Sequence, residues 1–424
     1  MPGAAPRSAR DNRRMSRRLA AVVATALVLA AAAAAAGVGG GDRSAPTAPS
    51  AASAGRDGAA QPAAPVPPTS AATAPGAGAP VVVMVRHAGG VPDSWRRRLR
   101  RLRGVGTVTA VARTQALLRR TTAAGGGRSR AVRPGYVVVL DTLVVEPRRY
   151  AAMLPAADAR LVRRLRPGTA LLSRRSARLR RAGRGSTLTL AGGRRLRIAG
   201  VLDDPPALAT ELVVAVSEGR RLGAPQGFLV AAVDGEPAVR RVARTFDDPR
   251  TAVAQLGRAP WPVRRRIASA AELKDRFGEF ALRLPVGGDW VQPDPAWVAR
   301  NIVTRRVPIL GPVHCNRRNF PALRSAMAEL SRRRLTRLVD PGDYAGCYAA
   351  RRIPGSGSLS LHAWGLAVDL NASRNPQGSP PHQDRRLVTI MERHGFSWGG
   401  RWPTVPDGMH FEFHGDGPPV LDAP

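Results

Sequence analysis

The segment that determines the fold of the C-terminal part of the chain reads Ser360-Leu-His-Ala-Trp-Gly-Leu-Ala-Val-Asp-Leu-Asn371. From Gly365 onward, large apolar residues alternate with small or polar residues, as they do in a strand that packs one face on a core. Asp369 falls on the face of small residues, where a carboxylate can point into a cleft. We therefore predict a strand that carries a functional aspartate, preceded in the chain by His362.

A second segment, Asp407-Gly-Met-His-Phe-Glu-Phe-His414, alternates in the same way. Its polar side chains His410, Glu412 and His414 share one face, and two phenylalanines share the other. Two strands that each present a metal ligand on one face can build a site of two histidines and one aspartate. Three protein ligands and an open fourth position are typical of catalytic zinc, although a single histidine on a strand is more often structural.

Together the two segments resemble a known family. The spacing Ser360-x-His362-x-x-Gly365-x-Ala367-x-Asp369, followed by Asp407-x-x-His410-Phe-Glu412, is similar to that of the zinc D-alanyl-D-alanine carboxypeptidase / L-alanyl-D-glutamate peptidase family, the VanY-like peptidases. The resemblance runs from about Phe277 to Phe413 and includes Val307-Pro-Ile-Leu-Gly311, Gly346-Cys-Tyr348 and Gly395-Phe-Ser-Trp-Gly-Gly400. It implies a small α+β domain with zinc on an antiparallel sheet, and the stem peptide of peptidoglycan as the substrate.

The resemblance also implies roles for individual residues. His362, Asp369 and His410 take the positions of the Zn²⁺ ligands, and Asp407 takes that of the catalytic carboxylate, which moves a proton between the attacking water and the leaving amine. Glu412 is a rival for the role of base, but it lies two residues from a ligand on the same strand face.

Further residues are placed around the site by the same resemblance. Arg351 takes the position of an arginine that steadies the substrate carbonyl oxygen, and the adjacent Arg352 is the alternative. Ser360 supports the site from behind the ligands. Three tryptophans either line a substrate groove or pack in the core: Trp364, Trp398 and Trp402. Three other histidines are interpreted as bystanders: His382, His394 and His414.

Two classes of function follow from these residues. In the resembled family, carboxypeptidases tend to carry Glu before the final histidine and endopeptidases tend to carry Asp, so Asp407 favours cleavage between L-alanine and D-glutamate. The alternative is a non-catalytic wall-binding or scaffold protein that retains the peptidase fold. The complete set of His362, Asp369, His410 and Asp407 favours the enzyme, because a degenerate relative is expected to have lost one of them.

Composition limits the class of protein. A chain of 424 residues allows two or three domains, and 44% hydrophobic with 23% charged residues excludes a wholly disordered chain or a polytopic membrane protein. The net charge is +36, and all basic residues except Lys274 are arginine, a bias that indicates GC-rich codon usage rather than selection for a ligand. A basic surface still attracts polyanions, and we expect anionic cell-wall polymers as partners.

The N-terminus predicts the compartment. A basic region, residues 1–18, precedes an uncharged apolar run at 19–38, which is typical of an export signal that is either cleaved or kept as a membrane anchor. Both interpretations place the rest of the chain outside the cytoplasm, secreted to the cell wall or anchored to the membrane. We therefore expect no nucleic-acid partner. The Ala/Pro/Gly/Ser-rich segment 39–80 is predicted to be a disordered linker.

The remaining chain is predicted to form two α+β domains, at 81–245 and 276–415, joined by a connector at 246–275 and followed by a tail at 416–424. In the first, strands are predicted at 81–85, 136–140, 211–216 and 228–233, helices at 95–103 and 158–166, and a hairpin around Gly192-Gly193. Its glycine spacing weakly resembles the extracytoplasmic domains of FtsX/MacB-type permeases, which implies an interaction or positioning module. In the second, a helix is predicted at 321–334.

The two cysteines, Cys315 and Cys347, lie in one predicted domain outside the cytoplasm. We expect them to form a disulfide that closes a loop of about 30 residues and stabilises the fold by about 3–4 kcal/mol. Two buried free thiols are the alternative.

Overall fold

The computed structural model describes residues 81–87, 90–203, 210–223, 226–248, 250–255, 260–261, 269–284, 288–353, 358–402 and 405–415. The predicted basic region, export segment, linker and tail, residues 1–80 and 416–424, lie outside these residues. Among the residues described, none of the helices is both long enough and apolar enough to cross a membrane.

A large mixed sheet dominates the first part of the described chain. Its eleven strands within the described residues are β1 Val81–His87, β2 Val105–Thr122, β3 Ser129–Ala131, β4 Val138–Val145, β5 Thr169–Ser173, β6 Thr187–Leu190, β7 Arg195–Leu202, β8 Leu212–Ala215, β9 Gln226–Val233, β10 Thr251–Gln255 and β11 Pro260–Trp261. The order across the sheet is β11-β10-β1-β9-β2-β4-β8-β5-β7-β6, with β3 on β2 and a further β2–β6 pairing. Only the β4–β8 and β5–β7 pairs are parallel among these strands.

Helices cover this sheet, and most predicted elements of this part are confirmed. The helices are α1 Asp93–Arg100, α2 Pro147–Ala151, α3 Ala156–Arg163, α4 Arg174–Arg180, α5 Val216–Gly219 and α6 Gly235–Thr245. The predicted helices 95–103 and 158–166 are α1 and α3, which begin two residues earlier, directly after Pro92 and Pro155, and end three residues earlier. The predicted hairpin is β6–β7, in which Leu196 and Ile198 are buried.

The strand predictions differ from the structure in their bounds and omit β2, β3, β5, β10 and β11. The strand predicted at 136–140 is β4, which begins at Val138 and continues to Val145. Its apolar residues are buried in three separate clusters, so both faces of the sheet are covered and the sequence lacks a simple alternation. The longest strand of the sheet, β2 at Val105–Thr122, was not predicted.

The C-terminal part of the described chain is a second mixture of helices and strands, so the fold is α+β as expected. Its helices are α7 Ala270–Phe277, α8 Pro295–Asn301, α9 Phe320–Arg332 and α10 Arg385–Arg393. Its strands are β12 Leu282–Arg283, β13 Gln292–Pro293, β14 Ile302–Val307, β15 Gly311–Asn316, β16 Ala367–Asp369, β17 Phe396–Trp398 and β18 His410–Phe413. They form two-stranded ladders β12–β13 and β14–β15 and an antiparallel sheet in the order β16-β18-β17. The helix predicted at 321–334 is α9, which buries Leu323, Ala326, Met327 and Leu330 as its spacing predicts.

The two parts share a continuous interior. Val137 and Val139, from the region of β4, belong to the same apolar cluster as the residues around α9 and β18. Backbone hydrogen bonds of 2.9 and 2.8 Å join Val137 to Leu282. The predicted connector, 246–275, contains strands β10 and β11 of the large sheet and the beginning of α7.

A buried charge network also links α7 to the large sheet. Nζ of Lys274 lies 2.6 Å from a carboxylate oxygen of Glu211, and Nη2 of Arg180 lies 2.8 Å from the other. The three side chains are at most 3% exposed. Burial alone would raise the pKa of Glu211, but the charges of Lys274 and Arg180 hold this pKa below its usual value.

Candidate metal centre

His362 lies on a single helical turn, Leu361–Trp364, rather than on a strand. Ser360 begins this turn, and its Oγ accepts a hydrogen bond from the amide of His362 over 3.3 Å. Gly365 ends the turn at φ 64°, a left-handed conformation that favours glycine. A side chain is excluded there for a second reason, since a Cβ at Gly365 would lie 2.6 Å from the backbone nitrogen of Asn316.

Asp369 and His410 lie on the neighbouring antiparallel strands β16 and β18. They are direct partners in the register of this pair, so their side chains project from the same face of the sheet. The predicted alternation is therefore confirmed around both residues, and the pairing of the strands brings the two sequence segments together.

These three side chains converge. Nε2 of His362 lies 3.1 Å from Oδ2 of Asp369 and 3.2 Å from Nδ1 of His410. Nδ1 of His410 lies 2.9 Å from Oδ1 of Asp369. When one ligand atom is taken from each residue, the three atoms all lie within 4.8 Å of one another. The arrangement could hold a metal ion.

Burial and charge shape the protonation of this group. All three side chains are buried, with His362 only 2% exposed. Burial alone would raise the pKa of Asp369, but hydrogen bonds from both histidines hold this pKa well below its usual range. Burial alone would lower the pKa of His410, but Asp369 and Glu412 raise it to about 10. Asp369 and Glu412 therefore favour positive charge at this position.

Glu412 contacts the ring nitrogen of His410 that faces away from Asp369. Its Oε1 lies 3.2 Å from Nε2 of His410, whereas Nδ1 is the nitrogen directed at Asp369. A carboxylate in this position orients a ligand ring from behind and fixes which nitrogen is available to a metal.

Asp407 precedes β18 in a tight turn. Its amide donates to the carbonyl of Gly399 over 3.0 Å, and its carbonyl accepts from the amide of His410 over 3.3 Å. Gly399 must lack a side chain, because a Cβ there would lie 2.8 Å from the Asp407 carbonyl oxygen. Oδ1 of Asp407 is buried and has no hydrogen-bond partner among the described residues. The carboxylate is thus held by its backbone while one oxygen is available for another partner.

Burial is the largest influence on the pKa of Asp407 and raises it above the usual value. The charge of Asp369 raises this pKa further, and those of His410 and His362 lower it. Asp407 therefore lies within electrostatic range of all three residues of the candidate metal group.

The structure also distinguishes Arg351 from Arg352. The charge of Arg351 lowers the pKa of Asp407, so this guanidinium acts on the candidate site. Nη2 of Arg352 instead donates to the carbonyl of Gly288 over 2.9 Å, away from the site. The backbone carbonyl of Arg351 also accepts from the amide of Ser360 over 3.1 Å, which ties the arginine segment to the turn of His362.

The three tryptophans lie in different surroundings. Trp364 is 4% exposed, and its ring centre lies 4.9 Å from that of Phe280. It therefore packs in the core rather than lining a substrate groove. Trp402 is partly exposed, and its ring centre lies 5.3 Å from that of His410. Trp398 is also partly exposed and stacks on Phe411 at 6.5 Å.

The histidines interpreted as bystanders lie outside the candidate metal group. Nε2 of His394 lies 2.8 Å from Oε2 of Glu329 on α9, a contact between two helices. The amide of His382 donates to Oδ1 of Asn375 over 2.8 Å. His414 lies nearer to the candidate metal group, because its Nε2 is 3.5 Å from Oε2 of Glu412, which contacts His410.

One contributor to the site was not predicted. Nδ1 of His362 donates to the backbone carbonyl of Cys347 over 2.7 Å. A backbone atom leaves no signal in a sequence pattern, although Gly346-Cys-Tyr348 was among the segments of the resemblance. The expected pairing of the cysteines is present as a disulfide between Cys315 and Cys347.

Comparison with known families supports a peptidase. Residues 354–413 match the model of a family described as D-alanyl-D-alanine carboxypeptidase. The matched segment contains the three residues of the candidate metal group and Asp407. No curated protein matches the chain significantly.

Solved structures similar to the chain include extracellular or permease domains. A domain of a Porphyromonas gingivalis protein described as a permease has 14% identity and a TM-score of 0.27, over 46% of this chain and 96% of that chain. The extracellular domain of the ABC-type transporter YknZ from Gram-positive bacteria has 11% identity and a TM-score of 0.26, over 39% of this chain and 93% of that chain. Their descriptions name a permease and an ABC-type transporter, but TM-scores this low do not establish a shared fold.

Proposed function

We propose that the chain is an exported zinc peptidase that hydrolyses the stem peptide of peptidoglycan, between L-alanine and the D-glutamyl residue. The observation that carries the proposal is the buried group of His362, Asp369 and His410, together with the unpartnered oxygen of Asp407 in the same site. The family match over residues 354–413 supports peptidase chemistry.

The donor set fits zinc in type and in spacing. Two imidazole nitrogens and one carboxylate oxygen are ligands that zinc prefers, and three of them leave a fourth position for water. Ligands bound tetrahedrally at about 2.0–2.1 Å from zinc lie about 3.3–3.4 Å from one another. The closest separations among the donor atoms here, 2.9, 3.1 and 3.2 Å, are only slightly shorter, so a small outward movement of the side chains accommodates the ion.

His362, Asp369 and His410 would hold the zinc ion, which would supply an activated water and polarise the peptide carbonyl. Oδ1 of Asp407 accepts a proton from the attacking water and later donates it to the leaving amine. The guanidinium of Arg351 offsets the negative charge that develops on the carbonyl oxygen.

The surroundings of the site are consistent with a peptide substrate. Trp402 is partly exposed and offers apolar surface near His410, whereas Trp398 stacks on Phe411, on the other face of β18. The net charge of +36 favours association with anionic wall polymers, which would concentrate the protein on its substrate.

A second candidate activity cleaves a different bond of the same stem peptide. The description of the matched family names a D-alanyl-D-alanine carboxypeptidase, which favours removal of the terminal D-alanine. We place the L-alanyl-D-glutamate bond first because the residue before His410 that takes the catalytic position is Asp407 rather than a glutamate.

The experiment is digestion of purified muropeptides that carry a pentapeptide stem, with the products weighed by mass spectrometry. We expect a disaccharide that retains L-alanine and a free peptide that begins with D-glutamate. Free D-alanine with the L-alanyl bond intact would support the carboxypeptidase instead. The chelator-treated protein, before and after zinc is restored, is the control for metal dependence. Intact substrate after exposure to the zinc-loaded protein would favour the non-catalytic wall-binding alternative.

A further inference from the structure

We propose that the disulfide between Cys315 and Cys347 positions His362 for metal binding, in addition to stabilising the fold. The proposal rests on the metal site proposed above and assigns the disulfide a role in metal affinity. It is carried by the contacts of the Cys347 backbone, by the packing around both sulfurs and by the path of the loop that contains Cys347.

The backbone carbonyl of Cys347 sets the state of the His362 ring. Because a carbonyl oxygen only accepts, the 2.7 Å contact fixes the proton of a neutral imidazole on Nδ1. Nε2 is then available to a metal, and Nε2 is the atom that lies 3.1 Å from Asp369. The place of this carbonyl therefore determines both the tautomer and the tilt of the ring.

The disulfide is packed against the turn that carries His362. Both cysteines are buried, and Cys315 belongs to β15, which pairs with β14 along its whole length. Nδ2 of Asn319 lies 3.5 and 3.7 Å from the two sulfurs and 3.3 Å from the carbonyl oxygen of Gly365. The same Gly365 carbonyl accepts from the amide of Asn316, the residue after Cys315, over 3.1 Å.

The loop from Gly346 to Ala349 connects two of the proposed ligands. At one end, the carbonyl of Gly346 accepts from the amide of Asp369 over 3.1 Å. At the other end, the amide of Ala349 donates to the carbonyl of His362 over 3.1 Å. Cys347 lies between these two attachments. The distance between His362 and Asp369 depends on this loop, and the disulfide anchors the loop at Cys347.

The other two ligands do not depend on this support in the same way. Asp369 and His410 are paired directly across β16 and β18, so the sheet holds them together. His362 lies on a turn outside that sheet, and its orientation depends on contacts with the Cys347 loop. Loss of the covalent anchor is therefore expected to weaken metal binding through His362.

The magnitude follows from the behaviour of groups that orient metal ligands. Removing such a group weakens metal affinity by about 10–100-fold. In a variant without the disulfide, the Cys347 carbonyl remains and only its restraint is lost. We therefore expect an effect near the lower limit, about 10-fold.

The test compares Cys315→Ala/Cys347→Ala with Leu330→Ala. Leu330 is fully buried in the same apolar cluster on α9, so its truncation also destabilises the domain but leaves the contacts of His362 in place. Zinc affinity is measured by competition with a chelator, at a temperature at which circular dichroism shows both variants folded. The visible absorption of bound Co²⁺ reports the ligand geometry.

We expect the double variant to bind zinc about 10-fold more weakly than the wild type and to change the Co²⁺ spectrum. Leu330→Ala should keep the affinity and spectrum of the wild type. If the double variant kept them too, the disulfide would be a brace for the fold and the positioning role would be wrong. A wild-type chain that binds no zinc would instead overturn the proposed metal site itself. If the double-alanine variant does not fold, the double-serine variant takes its place in the same comparison.

Discussion

Replacing Asp407 by asparagine should separate catalysis from metal binding. Asn has the shape of Asp but cannot take up a proton, and the change leaves His362, Asp369 and His410 in place. Because Oδ1 of Asp407 has no hydrogen-bond partner among the described residues, the substitution breaks no contact of that atom. We expect zinc to remain bound at about one ion per chain.

The rate of hydrolysis should nevertheless fall sharply. A positioned general acid–base group contributes about 10²–10⁴-fold to the rate, or about 2.7–5.4 kcal/mol in the barrier. Asp407 is only 6% exposed, so bulk water has little access to replace its carboxylate as proton acceptor. The loss should appear in kcat with zinc content unchanged.

Two matched variants accompany Asp407→Asn. His410→Ala removes one of three ligands and should lose the metal together with the activity. Glu412→Gln should keep most of the turnover per bound zinc, because Glu412 contacts the nitrogen of His410 that faces away from Asp369. Zinc content by elemental analysis and muropeptide turnover are measured on the same preparations.

The opposite pattern would refute the assignment. If Asp407→Asn turned over substrate at the wild-type rate, and Glu412→Gln retained zinc but lost activity, then Glu412 would be the base. Loss of zinc from Asp407→Asn would show that Asp407 supports the metal rather than the proton transfer.

Three further predictions concern the buried charge network and the disulfide. Lys274→Met removes one of the two cations, Lys274 and Arg180, that contact the buried Glu211. It should reduce the free energy of unfolding by about 3–5 kcal/mol in a denaturant titration. An unchanged midpoint would contradict a structural role for the network. Because the pKa of Glu211 is held below its usual value, the free energy of unfolding of the wild type should fall as the pH drops below about 4.3. This pH-dependent loss should be smaller in Lys274→Met, as denaturant titrations at several acidic pH values would reveal. Alkylation of the unreduced, denatured chain should leave Cys315 and Cys347 unmodified in an intact-mass measurement, and two added alkyl groups would exclude the disulfide.

Much of the local structure was accessible from the sequence because periodicity encodes it. The helix α9 and the hairpin β6–β7 each place apolar residues at the spacing of their own geometry, and both were predicted. The strand β2 was missed because small residues, threonines and arginines fill much of Val105–Thr122. It pairs with β9, β4, β6 and β3, so pairing partners distant in the chain define it more than its own pattern does.

The candidate site divides along the same line. Alternation in two short segments was enough to place Asp369 and His410 on the faces of strands, since the face of a side chain depends only on local geometry. Whether those faces meet depends on the pairing of β16 with β18, which joins residues 41 positions apart. The burial of Trp364 and the electrostatic influence of Arg351 on Asp407 are likewise results of long-range packing.

The sequence by itself determined which residue types could bind a metal and move a proton, because those properties belong to side chains at fixed spacing. Only the tertiary structure decided how they are held. The carbonyl of Cys347 orients His362, and a disulfide from a distant strand restrains that carbonyl. Lys274 joins α7 to the large sheet through Glu211. Contacts of this kind depend on which surfaces come together when the whole chain folds, and no local pattern records them.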